Sequence, residues 1–493
     1  MQIQINLFEH VKCFYNELEA FKDWDAIQLN HFTTDLEFTL NNIWKHRRRF
    51  IINNNDYFNK SKDQSIIEIG HKSIKAKNLI GAFSFKSCGN EFIINILPKI
   101  FYKANYNYTQ EELYAIQAHV LWWLSECEEI NLSTFNSSMN DRNIDFLEIF
   151  ISIFARFTLE ILSSTSYNYY ELVEENTTSV KGKIDFRRYT NNISNGNIQK
   201  LFCSYDNLQN DNLFNQTIKN VSTFLLIKTK NRHTKKNLEE ILFILDDVED
   251  KPVTLYDCDK IILNPIFTEY KIILDYCKLF LSNTASFSNS EKYDVFSFLV
   301  QSEKLFEKFI YKQLKSKENI EFKAVKQSDK KVFARKKELD KVSSLPMIND
   351  IVLDYFNGSS IILDCKYKLI NNLNTNQKDF DQRYNVSQAD IYQMASYAIR
   401  SRIDIIGLAY PIALEDISND GLKFHYEIDD EFTIEPQKRT IKIKPFKVNI
   451  IHESGLSVEV KGNLNANFKN TKDRIIFDLL KNLEELLALN NSN

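Results

Sequence analysis

Apolar, β-rich runs occupy residues 351–355 and 360–367, and the polar pair Asn357-Gly358 lies between them. That pattern predicts a β-hairpin, because Asn-Gly readily supplies the positive φ of a tight turn. Upstream, residues 296–315 place Leu299, Phe306, Ile310 and Leu314 on one stripe and predict a helix. Downstream, 387–400 predicts a second helix, with Ser387 and Asp390 spaced as a capping box, and 403–410 predicts an apolar strand. Toward the N-terminus, 10–21 and 35–44 read as helices and 65–69, 82–86 and 92–100 as strands. Residues 110–127 read as a helix with Trp122 and Trp123 in the core. The stretch 136–290 reads as mostly helical, with a long apolar helix over 144–162 and a helix capped by Asp211 that runs to about 228. Polar residues 282–290 read as a linker, and Thr471 as the cap of a last amphipathic helix that serves packing. The chain therefore divides into a mixed α/β domain over 1–135, a helical unit over 136–290, an α/β domain over 291–452 and a linker with helix over 453–493. The fold class is α/β in the broad sense, an α+β multidomain chain.

The hairpin carries chemistry. Side chains alternate along a strand, so Ile361, Leu363 and Cys365 share one face, and Ile362, Asp364 and Lys366 share the other. A two-residue Asn-Gly turn sets Asp350 opposite Cys365, on the wrong face. A three-residue turn, Phe356-Asn357-Gly358, sets Asp350 opposite Asp364 with Lys366 diagonal to it. The second register collects three polar side chains on one face and is the one expected. Two adjacent carboxylates repel unless a proton or cation lies between them. An all-oxygen pair suits Mg²⁺.

Asp, then Asp-x-Lys, across a hairpin resembles the PD-(D/E)XK nucleases. The order helix, strand, hairpin, helix, strand matches their αβββαβ core, and Gln393-x-x-x-Tyr397 is similar to the RecB-like branch. Together with Leu305–Ile310, Ile-x-Pro-Lys99 and the segment 180–186, these residues resemble the McrC subunits of McrBC restriction systems, most closely over about the last two hundred residues. The resemblance implies that Asp350, Asp364 and the backbone carbonyl of Cys365 bind Mg²⁺, and that Lys366 orients or deprotonates the attacking water. It implies that Glu307 completes the metal shell or pairs with the lysine, and that Gln393 and Tyr397 hold Lys366 or the phosphate. It also implies a partner, an McrB-like AAA+ GTPase, that the N-terminal domain docks on and stimulates, and double-stranded, methylcytosine-bearing DNA as substrate. Asn349 stands where that motif has proline, a position that shapes the strand and does no chemistry.

Composition bounds the partners. A net charge of −4 over 493 residues excludes a chain that binds nucleic acid through overall charge, so any contact is a local basic patch. One such patch lies beside the hairpin: Lys323, Lys326, Lys330, Lys331, Arg335, Lys336 and Lys337, read as DNA-binding or as a solvated loop. Lys45–Arg49 is a second basic run, a phosphate or partner contact or a solvated helix end. Seven scattered cysteines without Cys-x-x-Cys speak against a disulfide framework or zinc finger. No signal-peptide pattern and no membrane-length apolar run is present, so a cytoplasmic location is expected. No Gly-x-x-x-x-Gly-Lys-Ser/Thr occurs, so GTP is expected on the partner. A stand-alone RecB-like nuclease and a non-catalytic activator of an AAA+ ring remain open beside the McrC reading.

Overall fold

The structure is a computed structural model that describes residues 2–45, 51–52, 64–127, 136–137, 146–164, 167–263, 268–286, 294–318, 322–326, 331–338, 341–347, 350–370, 386–417, 422, 424–430, 439–458 and 462–490. These fall into two compact units: Leu147–Ala285, and a discontinuous unit made of Met1–Phe146 and Ser286–Asn493.

The discontinuous unit begins with β1 (Gln2–Phe8), α1 (Ala26–Lys45), β2 (Leu79–Ser87), β3 (Asn90–Leu97) and α2 (Gln110–Glu126). β1 runs parallel to β3, and β2 and β3 form an antiparallel hairpin. Phe32, Leu36, Leu40 and Ile43 form the apolar stripe of α1, and the Phe32 ring meets Phe85 and Phe92 on the sheet. Trp122 and Trp123 on α2 are buried, as their pattern predicted. Residues 10–21 are not a helix. His10 takes φ 63°, and the Glu17 carboxylate accepts a hydrogen bond from the Phe14 amide, so the chain folds into a three-residue strand and two 3₁₀ turns.

The other unit contains α3 (Phe146–Ser164), β4 (Tyr169–Thr177), α4 (Phe186–Ser194), β5 (Leu201–Gln209), α5 (Leu213–Lys228), α6 (Arg232–Ile244) and α7 (Thr268–Asn283). β4 and β5 pair antiparallel, and α5 packs against α6 and α7. Asn212, not Asp211, caps α5 by accepting from the Asn215 amide at 3.0 Å. Asp211 instead accepts from the Gln216 side chain and the Glu249 amide.

The first unit resumes with β6 (Asp294–Gln301), α8 (Ser302–Lys315), β7 (Phe322–Lys326), β8 (Lys331–Glu338), β9 (Lys341–Met347), β10 (Ile351–Tyr355) and β11 (Ser360–Cys365). It ends with α9 (Gln388–Ser401), β12 (Ile405–Pro411), β13 (Tyr426–Asp430), β14 (Arg439–Val448) and α10 (Lys469–Asn490). Leu299, expected on the helix, lies in β6, which pairs with β2. The apolar run 298–300 is buried in that sheet, and the helix starts only at Ser302. Among the described residues the basic segment is strand, not loop: it falls on β7 and on β8, which pairs antiparallel with β9 around a bulge between Val332 and Ala334.

A second sheet has the order β7-β10-β11-β12-β14-β13. β7, β10 and β11 are antiparallel neighbours, β11, β12 and β14 are parallel, and β13 returns antiparallel. Met394 and Ala398 of α9 pack with Ile362, Ile406, Leu408 and Ile443 on one face. α10 covers the opposite face, where a Cβ on Gly407 would stand 3.0 Å from the side chains of both Leu363 and Leu486. A bare backbone at 407 lets that helix close on the sheet. Thr471 lies inside α10 and does not cap it. Its buried hydroxyl donates to Glu453 at 2.8 Å.

Candidate active site

The hairpin turn sets the site. The Tyr355 amide donates to the Ser359 carbonyl at 2.8 Å and the Gly358 amide to the Tyr355 carbonyl at 3.0 Å, enclosing three residues. Gly358 has φ 89° with open space where a Cβ would point, so backbone conformation, not room, selects glycine there. The ladder pairs Asp354 with Ser360, Val352 with Ile362 and Ile351 with Leu363. One step further in this register, Asp350 stands opposite Asp364, the expected arrangement. Asp350 Oδ2 also accepts the Cys365 amide at 2.9 Å, which ties the strand ends together.

Asp364 is buried and Asp350 half-buried, and the countercharge around them is incomplete. Burial pushes Asp350 up to about 8, and the neighbouring Asp364 and Glu307 push in the same direction. The Cys365 amide and Lys304 pull it back only partly. Burial likewise raises Asp364 despite the opposing Lys366 ammonium. Asp364 is 2 % exposed. Its Oδ2 pairs with Lys366 Nζ at 2.8 Å. Burial alone would depress Lys366. Asp364, Asp350 and Asp390 outweigh it and hold the ammonium above its ordinary value. The Cys365 thiol is pushed well up by burial and by the two aspartates, which leaves its backbone as the useful group.

α9 supplies the other wall. Asp390, Gln393 and Tyr397 recur at i, i+3 and i+7 and share one helix face. Lys366 Nζ donates to Gln393 Oε1 at 3.2 Å, and Gln393 Nε2 donates to the Tyr397 hydroxyl at 2.9 Å. Asp390 does not serve a capping box, since Ser387 makes no side-chain cap. The Asp390 carboxylate is buried and holds exposed Lys368 at 2.9 Å. Sequence reasoning missed this pair. Lys368 lies two residues beyond Lys366, and Asp390 shares the helical face of Gln393, so a spacing signal did exist.

Glu307 on α8 is 5 % exposed. It pairs with Lys304 one turn earlier and with Lys326, at 3.3 Å, at the end of β7. Lys323 and Lys326 are exposed on β7, and Lys331, Arg335, Lys336 and Lys337 run along β8. Lys330 and most of the run Lys45–Arg49 lie outside the described residues. Among the described residues, no three His, Cys, Asp or Glu side chains cluster to hold a metal ion. A cation here would use two carboxylates, a backbone carbonyl and water. Mg²⁺ accepts such a set, since it usually keeps several waters.

The family model of the McrBC 5-methylcytosine restriction system component matches residues 74–411, more than half of the chain. This chain belongs to that family. Over 96% of its length it shares the fold of a whole chain of the refined half-complex from the tetradecameric assembly of Thermococcus gammatolerans McrB AAA+ hexamers with bound McrC. That likeness has a TM-score of 0.66 at 17% identity and covers 100% of the other chain. A chain of the Thermococcus gammatolerans McrBC complex determined by cryo-EM is similar at 19% identity and a TM-score of 0.49, over 63% of this chain and 87% of that one. No curated protein matches. The McrBC family match bears out the resemblance read from the hairpin and α9. The segment Leu97-Pro98-Lys99 that contributed to that resemblance faces inward: Lys99 Nζ donates to the Tyr367 carbonyl at 2.6 Å. No helix among the described residues is long and apolar enough to cross a membrane.

Proposed function

We propose that this chain is the McrC-type nuclease subunit of a modification-dependent restriction system. It cleaves methylcytosine-bearing double-stranded DNA, with Mg²⁺, when assembled with an McrB-like AAA+ GTPase that it stimulates. The observation that carries this reading is the register of Asp350 opposite Asp364 with Lys366 on Gln393. The order of α8, β7, the β10–β11 hairpin, α9 and β12 supports a PD-(D/E)XK core. The lack of a P-loop supports the McrC role over the GTPase role.

Asp350, Asp364 and the Cys365 carbonyl would hold the cation. The mutual repulsion of the two carboxyl groups fits that role. When bound, Mg²⁺ supplies Lewis acidity toward the phosphate and lowers the pKa of water. Lys366, kept charged and pinned between Asp364 and Gln393, orients the water and the scissile phosphate. Tyr397 fixes the Gln393 amide so that its oxygen faces the lysine. Glu307 keeps Lys304 and Lys326 at the site's edge, and the lysines and arginine of β7 and β8 meet the DNA backbone.

The test is cleavage of methylated and unmethylated plasmid with Mg²⁺, by wild type and Lys366→Ala, with and without an McrB-like partner and GTP. Cutting that needs partner, GTP, methylation and Lys366 is expected. Partner-independent cutting that still needs Lys366 would move the function to a stand-alone nuclease. Stimulated GTPase with no cutting would leave an activator of the ring.

A further inference from the structure

A second buried polar cluster lies behind the site, and neither the nuclease chemistry nor the family match assigns it a role. Glu9, at the end of β1, is fully buried. Its Oε1 accepts from the Ser302 hydroxyl at 2.6 Å, and its Oε2 accepts from the Lys99 amide at 3.3 Å. Ser302 is the first residue of α8, the helix that carries Glu307. Lys99 follows β3, the parallel neighbour of β1. Its ammonium lies 4.4 Å above the Tyr367 ring and donates to the Tyr367 carbonyl.

The place of that carbonyl matters. β11 ends at Cys365, whose pairing with Ala409 is the last of the ladder. Beyond it the Lys366 amide still reaches the Ala409 carbonyl at 2.9 Å, and then the chain turns, with the Lys368 amide on the Lys366 carbonyl at 2.8 Å. Lys366 is thus held on one side by the sheet and on the other by a residue that has left it. The group that secures the leaving residue comes from 268 positions away in the sequence.

We propose that Glu9 and Lys99 form a clamp that positions Lys366, Lys99 by gripping the Tyr367 carbonyl and Glu9 by fixing Lys99 against α8. Lys99 is a positioning residue. It reaches Lys366 through the backbone and has no contact with DNA or metal in this role. The clamp makes the N-terminal sheet part of the cutting machinery, because the two strand ends that hold Lys99 belong to that sheet. The catalytic half of this inference rests on the nuclease reading of Lys366, and the structural half does not. Misplacement of a reacting group by about 1 Å costs on the order of a hundredfold in rate, so loss of the grip is visible in cleavage.

The experiment compares full-length wild type, Lys99→Met and Lys99→Arg by amide hydrogen exchange and by single-turnover cleavage with partner and GTP. Partner GTPase stimulation monitors folding and assembly. In Lys99→Met, protection of the Lys366 and Lys368 amides is expected to fall about tenfold, with β12 amides unchanged. The maximal cleavage rate falls about tenfold or more at unchanged half-saturating DNA, GTPase stimulation persists, and Lys99→Arg restores most of both signals. Wild-type protection at Lys366 and Lys368, wild-type cleavage, or an equal loss of protection in β12 overturns the clamp. Should Lys99→Met not fold, Glu9→Gln keeps the volume and the acceptor for Ser302, and the same readouts decide. Wild-type protein that cuts nothing overturns the nuclease reading alone, because the exchange measurement still decides the clamp.

Discussion

Two buried carboxyl clusters lie in one compact unit, and their neighbours act in opposite senses. Around Glu9 burial alone raises the pKa, while Lys99, Ser302 and the Lys99 amide all lower it. Around Asp350 burial is reinforced by Asp364 and Glu307. Burial is common to both. A cluster whose neighbours oppose the cost of burial holds structure together. A cluster whose neighbours add to it is costly, and on the proposed reading a bound cation reverses the sign.

The largest expected effect breaks the site side of the comparison. Asp364→Asn or Lys366→Ala removes about a thousandfold or more of the DNA-cleavage rate. Stimulation of the partner GTPase stays intact, as measured on the same assemblies. Next comes a contrast in stability without metal. Glu9→Ala leaves the Ser302 hydroxyl and Lys99 without their acceptor and lowers unfolding free energy by about 1–3 kcal/mol. Asp350→Asn retains an acceptor for the Cys365 amide and removes the cost of keeping a buried carboxyl protonated at neutral pH, so stability changes little or rises by about 1 kcal/mol. Denaturant titrations in EDTA at neutral pH measure both, and an equal loss in the two variants would erase the distinction between the clusters.

A smaller effect follows from Glu9 alone. Its carboxyl is pushed from 4.5 to about 7 in the folded protein, first by burial. Between those values the folded protein keeps a proton that the unfolded chain has lost. Stability therefore falls as pH rises from about 4.5 to about 7 and levels off above that window. Glu9→Gln lacks this slope, which thermal melts across the range would show. Smallest is Tyr397→Phe, which frees the Gln393 amide to rotate and lowers cleavage several-fold, less than Gln393→Ala does.

What was legible in the sequence was local. The Asn357-Gly358 turn left two registers, and the one that gathers Asp350, Asp364 and Lys366 on one face is the one the ladder adopts. Gln393 and Tyr397 were readable because a helix brings i and i+4 together. What was not legible was set by distant partners. Residues 296–301 carry a run that suits a helix as well as a strand, and only pairing with β2 decides it. Asp390 fits a cap pattern, yet Lys368 claims it. Glu9 and Ser302 are separated by 293 positions, and no spacing rule joins them.

The discontinuity of the first unit has a consequence during synthesis. β2 finds its antiparallel partner β6 only when residue 301, which pairs with Leu79, has left the ribosome. At about 5–20 residues per second the delay is on the order of 10–40 s. For that time the edge of β2, with Ile80 and Phe83 that end up fully buried, has no covering strand. Until the strand that leads into α8 emerges, the backbone groups along that edge stay unpaired and open to pairing with another strand.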